Sequence, residues 1–326
     1  MTLPTLKIKD LEAKLPIIQG GMAVRISLAP LAAAVANEGG IGLIAASGIT
    51  PDELQKHIRQ ARDMSKGIIG INVMVAVRQF ADLVKTALAE KIDIVVAGAG
   101  FSRDIFGWCK SAGIAVAPVV SSERLAKLAE KFGADAIIVE GKEAGGHLGT
   151  NESIKALLPR IIDAVKIPVI AAGGIISGSD IYNTLKTGAK GVQIGTRFGM
   201  SKESSASEMM KQTWLEAKGS IVTGMSPTDM PSRAIDSTEM EDMPKVGDKT
   251  KCVMCLKNCS HRDERIKFCI IKALENAQEG DVEHGLIFCG ERVGEIEDIL
   301  TVKEIIDNFK EEYLKCSKMG TSHCAG

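Results

Sequence analysis

The sequence predicts an α/β protein, a (β/α)8 TIM barrel followed by a small, mainly helical C-terminal cap. Two observations support this prediction. Short apolar runs rich in Val, Ile and Ala recur roughly every 20 to 30 residues up to residue 218, and segments with helical spacing separate them. The apolar runs give eight predicted strands: 16–19, 42–46, 68–73, 94–97, 115–119, 136–140, 169–172 and 191–195.

Several of these runs are apolar at every position, as in parallel strands that helices cover on both faces. The intervening segments 51–64, 79–90, 121–132, 153–165 and 177–187 are predicted helices. Pro51 suits a first helical turn, Ser121 and Ser177 can cap exposed amides, and Gly133 and Gly188 can end helices. An open doubly wound sheet would give the same local pattern, but eight strand and helix units favour a closed barrel.

The chain divides into three predicted regions. Residues 1–218 form the barrel, 219–251 are a linker or active-site loop, and 252–326 form a cysteine-containing helical cap. The middle region is rich in Ser, Thr, Met, Pro and Asp and shows no strand pattern, which is typical of a loop. In the last region, helices are predicted at 268–278 and 302–314.

Composition and charge exclude several function classes. The 40 Lys and Arg residues nearly cancel the 41 Asp and Glu residues, so no broad positive field favours a nucleic-acid partner. The sequence contains no apolar run of membrane-spanning length and no signal-peptide pattern at its start. We therefore expect a cytoplasmic protein that binds a small-molecule substrate and forms a homodimer, with no nucleic-acid or membrane partner.

Glycines and polar residues follow the predicted strands, where barrels carry their chemistry. Gly173 and Gly174 follow the seventh strand, and Gly195 and Thr196 follow the eighth. Two such loops on neighbouring strands predict a phosphate-binding site, although each glycine pair could instead simply form a tight turn. A dinucleotide-binding loop is less favoured, because the segment beginning Gly98-Ala99-Gly100 lacks the third glycine of that pattern.

His147 is the candidate acid/base residue, because Gly145 and Gly146 would expose it at the mouth of the sixth strand. A histidine there can exchange protons near neutral pH, although a lone histidine is more often structural. Glu140 and Glu143 could tune its basicity or bind ligand hydroxyls. Alternatively, they could be carboxylates at a helix start.

Five segments in register resemble the nitronate monooxygenase family, formerly called 2-nitropropane dioxygenases, which includes the FMN-dependent enoyl-acyl-carrier-protein reductases. The segments are 16–22 (PIIQGGM), 70–74 (GINVM), 140–147 (EGKEAGGH), 171–175 (AAGGI) and 193–198 (QIGTRF). The resemblance implies an FMN barrel in which Gly20, Gly21, Met22 and Asn72 lie against the isoalloxazine ring and Gln193 reaches the flavin. It also assigns the phosphate to Gly173, Gly174, Gly195 and Thr196, and catalysis to His147. Glu140, Gly145 and Gly146 complete the twelve predicted cofactor-binding residues.

The resemblance implies two reactions, and the residues do not separate them. In the first, FMN takes electrons from an alkyl nitronate and passes them to dioxygen; we take this reaction as the leading expectation. In the second, NAD(P)H reduces FMN, which then reduces an enoyl thioester. Two other classes stay open: a flavin-free phosphosugar isomerase or lyase barrel, and a non-catalytic cofactor-binding module.

Four cysteines after the barrel form the pattern Cys252-x2-Cys255-x3-Cys259-x9-Cys269. Such thiols can converge on zinc or an iron-sulfur cluster. The spacing resembles that in flavin barrels of the 2,4-dienoyl-CoA reductase type, so we favour [4Fe-4S] and an iron-sulfur-assisted alkene reductase as a further alternative. Four reduced cysteines packed in a small cap would explain the pattern equally well.

Overall fold

The computed structural model describes residues 2–223, 230–235, 252–259 and 269–319. Its centre is a closed barrel of eight parallel strands, which confirms the predicted fold class. The strands are β3 (Ile17–Gln19), β4 (Ile41–Ala45), β5 (Ile68–Met74), β6 (Ile94–Gly98), β7 (Ala115–Val120), β8 (Ile137–Glu140), β10 (Val169–Ala172) and β11 (Gly191–Ile194). The last strand pairs in parallel with the first, with Val192 opposite Ile17, and this closure excludes an open sheet.

Side chains fill the inside of the barrel. Ile18, Leu43, Val96 and Ile138 belong to one buried apolar cluster within it. An N-terminal hairpin of β1 (Leu6–Ile8) and β2 (Leu11–Ala13) contributes to the same cluster and closes the end where the strands begin. The opposite end, where the strands finish, is therefore the end left for a site.

The helices surround the barrel. They are α1 (Ala29–Asn37), α2 (Pro51–Met64), α3 (Phe80–Ala89), α4 (Asp104–Ala112), α5 (Glu123–Phe132), α6 (Ile154–Ala164), α7 (Gly178–Lys186), α8 (Thr196–Gly199), α9 (Glu208–Glu216), α10 (Ile270–Glu279) and α11 (Val302–Met319). Pro51 begins its helix as predicted, and Ser177 forms a capping box with Asp180. The prediction for Ser121 was wrong: the neighbouring Ser122 caps α5 by accepting from the Leu125 amide.

The region predicted as a linker forms strands where the structure describes it. β12 (Ser220–Thr223) pairs with β13 (Ser232–Ile235), and β13 also pairs with β9 (Gly146–His147) in an antiparallel three-stranded sheet. These strands are two to four residues long, and one of their partners is remote in sequence, so no local periodicity marks them. Residues 224–229 and 236–251 of the region lie outside the described structure.

Helix α11 belongs to the outer layer of the barrel, although the sequence suggested that it lies in a separate cap. It contacts α7 on one side and α1 on the other, the place of an eighth barrel helix. Its residues Val302, Ile305 and Phe309 join the main core. Gly178 allows the close contact, because a Cβ there would lie 2.1 Å from the Phe309 carbonyl oxygen. Among the described helices, none is both long and apolar enough to cross a membrane.

Candidate active site

A cavity lies at the carboxyl ends of the barrel strands, and the residues chosen from sequence meet around it. His147 and the twelve predicted cofactor-binding residues all line it. Those twelve are Gly20, Gly21, Met22, Asn72, Glu140, Gly145, Gly146, Gly173, Gly174, Gln193, Gly195 and Thr196. They come from the ends of five different strands and from the loop that follows β8. The barrel closure therefore produces one concave site from residues widely spaced in the sequence.

The loop after β3 forms one side of the cavity, and close contacts restrict it. The Asn72 side-chain amide donates to the Gly21 carbonyl oxygen at 3.1 Å. A Cβ on Gly21 would lie 2.1 Å from the Asn72 Cβ, so only glycine fits there. Below the loop, buried Gln19 accepts from the Leu43 amide and donates to the Ser27 hydroxyl at 3.0 Å. These bonds fix the loop, which presents backbone alone to the cavity at Gly20 and Gly21.

The loops after β10 and β11 lie beside this one, because β11 pairs with β3. Gly173 and Gly174 have φ values of +111° and +68°, which L side chains rarely adopt. Thr196 begins the short helix α8, and its hydroxyl accepts from the Gly290 amide at 2.8 Å. Close backbone approach and glycine-rich turns of this kind suit an anionic group such as a phosphate.

Arg292 is the cation at this end of the cavity. Its guanidinium donates to the Gly174 carbonyl oxygen at 3.0 Å and to the Asp180 carboxylate at 2.7 Å. Sequence reasoning missed both Gly290 and Arg292. They lie 94 and 118 residues beyond Thr196 and Gly174, the residues that they contact, and no recognised motif marks them.

The two glutamates near β8 have different surroundings. The Glu143 carboxylate accepts from the Ile154 amide at 2.9 Å, in the first turn of α6, so the helix-start interpretation holds for this residue. Glu140 ends β8 and faces the cavity. Burial raises the pKa of Glu140 to about 8, because a charged carboxylate loses its hydration there. Its carboxyl is therefore mainly protonated at neutral pH.

His147 lies on β9, opposite Ser232 of β13. The Phe288 ring meets its imidazole edge to face, with ring centroids 5.4 Å apart and an angle of 72° between the planes. Burial lowers the pKa of His147 to about 4, because the imidazolium would be poorly hydrated. At neutral pH the ring is uncharged and can accept a proton.

The outer wall of the cavity is apolar and comes mainly from the C-terminal region. Ile270, Ile271, Leu274 and Phe288 line it together with Val24 from the first barrel loop. The same residues form a satellite core with Leu286 and Ala234. Sequence reasoning missed this wall, since its placement depends on tertiary contacts rather than on a local pattern.

The cysteine segment lies beside this wall. Residues 252–259 pack along the loop after β5: the Arg78 amide donates to the Cys255 carbonyl oxygen at 2.8 Å and the Lys257 amide to the Ala76 carbonyl oxygen at 3.0 Å. Burial and the nearby thiols Cys269, Cys259 and Cys252 raise the pKa of Cys255 to about 11. All four cysteines are free, and within the described ranges no three His, Cys, Asp or Glu side chains are arranged to hold a metal ion.

Comparison with known proteins identifies the family. The model of the nitronate monooxygenase family matches residues 5–93 and 75–312. The chain belongs to the nitronate monooxygenase family. The sequence-based resemblance is thereby confirmed, and the protein is an oxidoreductase.

Proteins similar to this chain carry different names. The chain is 28% identical to a (3aS,4S,5R,7aS)-5-hydroxy-7a-methyl-1-oxo-octahydro-1H-indene-4-carboxyl-CoA dehydrogenase of Rhodococcus jostii, covering 96% of this chain and 97% of that protein. It is 31% identical to a probable nitronate monooxygenase of Staphylococcus aureus, covering 72% of this chain and 78% of the other. The structure of FabK from Thermotoga maritima superposes with a TM-score of 0.83 at 33% identity, with 94% of each chain covered.

Proposed function

We propose that the protein is an FMN-dependent oxidoreductase that oxidises alkyl nitronates, with His147 as its acid/base residue. The observation that supports this most strongly is the convergence of His147 and the twelve predicted flavin contacts on one cavity. Bound FMN would supply the redox chemistry, taking electrons from the substrate and passing them to dioxygen.

The chain offers a surface that fits this cofactor. Gly20 and Gly21, the latter held by Asn72, line the cavity with backbone alone, so a flat ring could lie against them. Gly173, Gly174, Gly195 and Thr196 would hold the phosphate through backbone and hydroxyl groups, since the nearby Arg292 is already paired with Asp180 and Glu295. Glu140 is mainly neutral at pH 7, so it can donate a hydrogen bond to a ribityl hydroxyl or to substrate without placing a negative charge near the phosphate.

His147 suits the role of a base. Its uncharged imidazole can donate a hydrogen bond from one ring nitrogen to a nitronate oxygen and accept a proton at the other. Replacing His147 by Ala should lower kcat about 100- to 10,000-fold, the usual contribution of an acid/base group. FMN should stay bound, because the glycine loops that hold it are unchanged. Flavin absorbance and turnover of the purified variant check both expectations, and unchanged turnover would remove His147 from the mechanism.

Reduction of an enoyl thioester by NAD(P)H is the second candidate, and the apolar outer wall favours it. Ile270, Ile271, Leu274 and Phe288 offer more apolar surface than a small nitronate needs, whereas an acyl chain could use it. FabK of Thermotoga maritima, an enoyl-acyl-carrier-protein reductase, covers nearly the whole chain. Oxygen uptake with an alkyl nitronate, compared with NAD(P)H oxidation driven by an enoyl thioester, separates the two reactions. Turnover with only the thioester would reject our first choice.

An iron-sulfur cluster on Cys252, Cys255, Cys259 and Cys269 is a separate proposal, supported by their spacing and by the electrostatic coupling of the thiols. Among the described residues these side chains do not form a metal site, so a cluster would have to draw them together, and no reaction step depends on it. Iron and sulfide should be stoichiometric in protein purified without air. They should be lost in a variant with Cys255 and Cys259 replaced by Ser. Cys109→Ser is the matched control, because Cys109 lies on α4 in the core beneath the outer helices.

A further inference from the structure

His147 contacts two residues outside the barrel, Ser232 and Phe288. Phe288 pairs with Ala234, two positions after Ser232, which lies opposite His147. Residues two apart on a strand point to the same face, and paired residues share a face. His147 and Phe288 therefore project from the same face of the small sheet, where their rings meet at 5.4 Å.

Phe288 is fixed in place from its backbone side. The buried Trp214 indole nitrogen donates to the Phe288 carbonyl oxygen at 3.0 Å. The flanking residues continue the ladder, with the Ile235 amide donating to Ile287 and the Cys289 amide to Arg233. The backbone of Phe288 is thus held by hydrogen bonds, and its ring packs against the imidazole and against the apolar wall of Ile270 and Leu274.

The ionisable groups around His147 do not account for a neutral imidazole. Glu140, Glu143, Cys289 and Arg292 line the same cavity, and Arg233 lies opposite Gly146. Carboxylates would raise the pKa of a histidine and guanidinium groups would lower it, but burial is what lowers the pKa of this one to about 4. Exclusion of water is thus the property to be explained, and the phenyl ring is in direct contact with the imidazole.

We propose that Phe288, held by Trp214, is a positioning residue that orients the imidazole of His147 and excludes water from it. This inference rests on the proposed function for its effect on turnover, but not for its effect on the imidazole itself. Orientation matters because displacing a reacting group by about 1 Å can lower a rate on the order of 100-fold.

The direct test is the pKa of His147 measured by NMR on the full chain with labelled histidine. The chain has five histidines, and the His147→Ala variant assigns the signal. In the wild type we expect a value near 4, against 6.5 for an ordinary histidine. Phe288→Ala should raise it by about one unit or more, because water reaches the ring. Phe132→Ala, which removes a phenyl ring outside the cavity, should leave it unchanged.

Two further variants separate orientation from dehydration. Phe288→Leu keeps an apolar side chain, so the pKa of His147 should stay low while kcat falls about 10-fold or more. Trp214→Phe removes the N–H donor to the Phe288 carbonyl oxygen and should also lower kcat. The flavin content of both variants should match that of the wild type.

A folded Phe288→Ala protein in which the pKa of His147 equals the wild-type value would overturn the inference. If that variant does not fold, wild-type kcat in Phe288→Leu would overturn it instead. Failure of the wild type to bind FMN or to turn over would reject the proposed function alone, since the NMR comparison needs neither.

Discussion

Glu140 and His147 are two ionisable side chains of the cavity that are both uncharged at neutral pH. Burial raises the pKa of Glu140 to about 8 and lowers the pKa of His147 to about 4. An enclosed cavity penalises charge on either group, so the acid keeps its proton and the base lacks one. The pair can therefore supply a donor and an acceptor without creating an ion pair.

Glu140→Gln should change how stability depends on pH. The folded-state pKa of Glu140 lies above its ordinary value of 4.5, so its contribution to stability is present below pH 4.5 and is lost as the pH rises towards 8. Glutamine cannot ionise, so the free energy of unfolding of the ligand-free variant should fall less between pH 4.5 and 8. Urea denaturation across that range measures it. An unchanged slope would show that Glu140 ionises normally in the folded chain.

Gly21→Ala should distort the loop after β3, which forms one side of the cavity. The new Cβ would lie 2.1 Å from the Asn72 Cβ, so the Asn72 side chain must move and its bond to the Gly21 carbonyl oxygen breaks. We expect a loss of about 1–3 kcal/mol in stability and weaker FMN binding, measured by denaturation and flavin titration. Gly107→Ala in α4 is the control: nothing lies within 4 Å, so it should be neutral or stabilising. Equal behaviour of the two variants would contradict the steric argument.

At the scale of the element, strand β13 connects the site to the rest of the chain. It pairs with β12 and β9, and residues 287–289 continue its ladder. Its buried Arg233 donates twice to the Lys142 carbonyl oxygen and once to the Ser220 hydroxyl. One side chain thus fixes the loop between Glu140 and His147 against the small sheet.

Arg233→Lys should destabilise the protein, because an ammonium group cannot reach both acceptors in the way a planar guanidinium does. A loss of about 1–3 kcal/mol is expected, since buried polar groups are left unpaired. Arg160→Lys is the matched control: its side chain is 48% exposed and its ion pairs with Glu123 and Glu152 contribute little. Thermal unfolding compares the two, and a smaller loss for Arg233→Lys would reject this role.

The elements that could be predicted from sequence are those that a local pattern marks, either an apolar run or a helix cap. The barrel strands are continuous apolar runs such as Ile94–Gly98, and helices such as Gly178–Lys186 have caps, so both were recognisable. The strand-end residues followed, because barrel closure brings them together. Strand β9 has two residues and an unremarkable composition, and Phe288, Gly290 and Arg292 reach the cavity only through long-range packing.

At the scale of the whole molecule, α11 completes the ring of helices between α7 and α1. Helices α7 and α11 approach closely at Gly178, whose amide donates to the Glu312 carboxylate at 2.6 Å. The barrel therefore holds the C-terminal region at α11, beyond the segments that line the cavity.

Gly178→Ala tests this closure. A Cβ at Gly178 would lie 2.1 Å from the Phe309 carbonyl oxygen and 2.8 Å from the Glu312 Cβ, so α11 must shift outwards. We expect a loss of about 1–3 kcal/mol, seen as a lower Tm. The open position Gly107 again gives the control substitution. A wild-type Tm for Gly178→Ala would mean that α11 does not seal the barrel.

The same contact has a consequence for biosynthesis. The first barrel strand leaves the ribosome long before residues 191–194, its neighbour on one side, and longer still before the helix at 302–319 that packs on α1. Contacts between such distant segments form slowly. We therefore expect the nascent chain to expose the apolar surface that α11 covers until residues 302–319 have emerged, and its dependence on chaperones to be greatest in that interval.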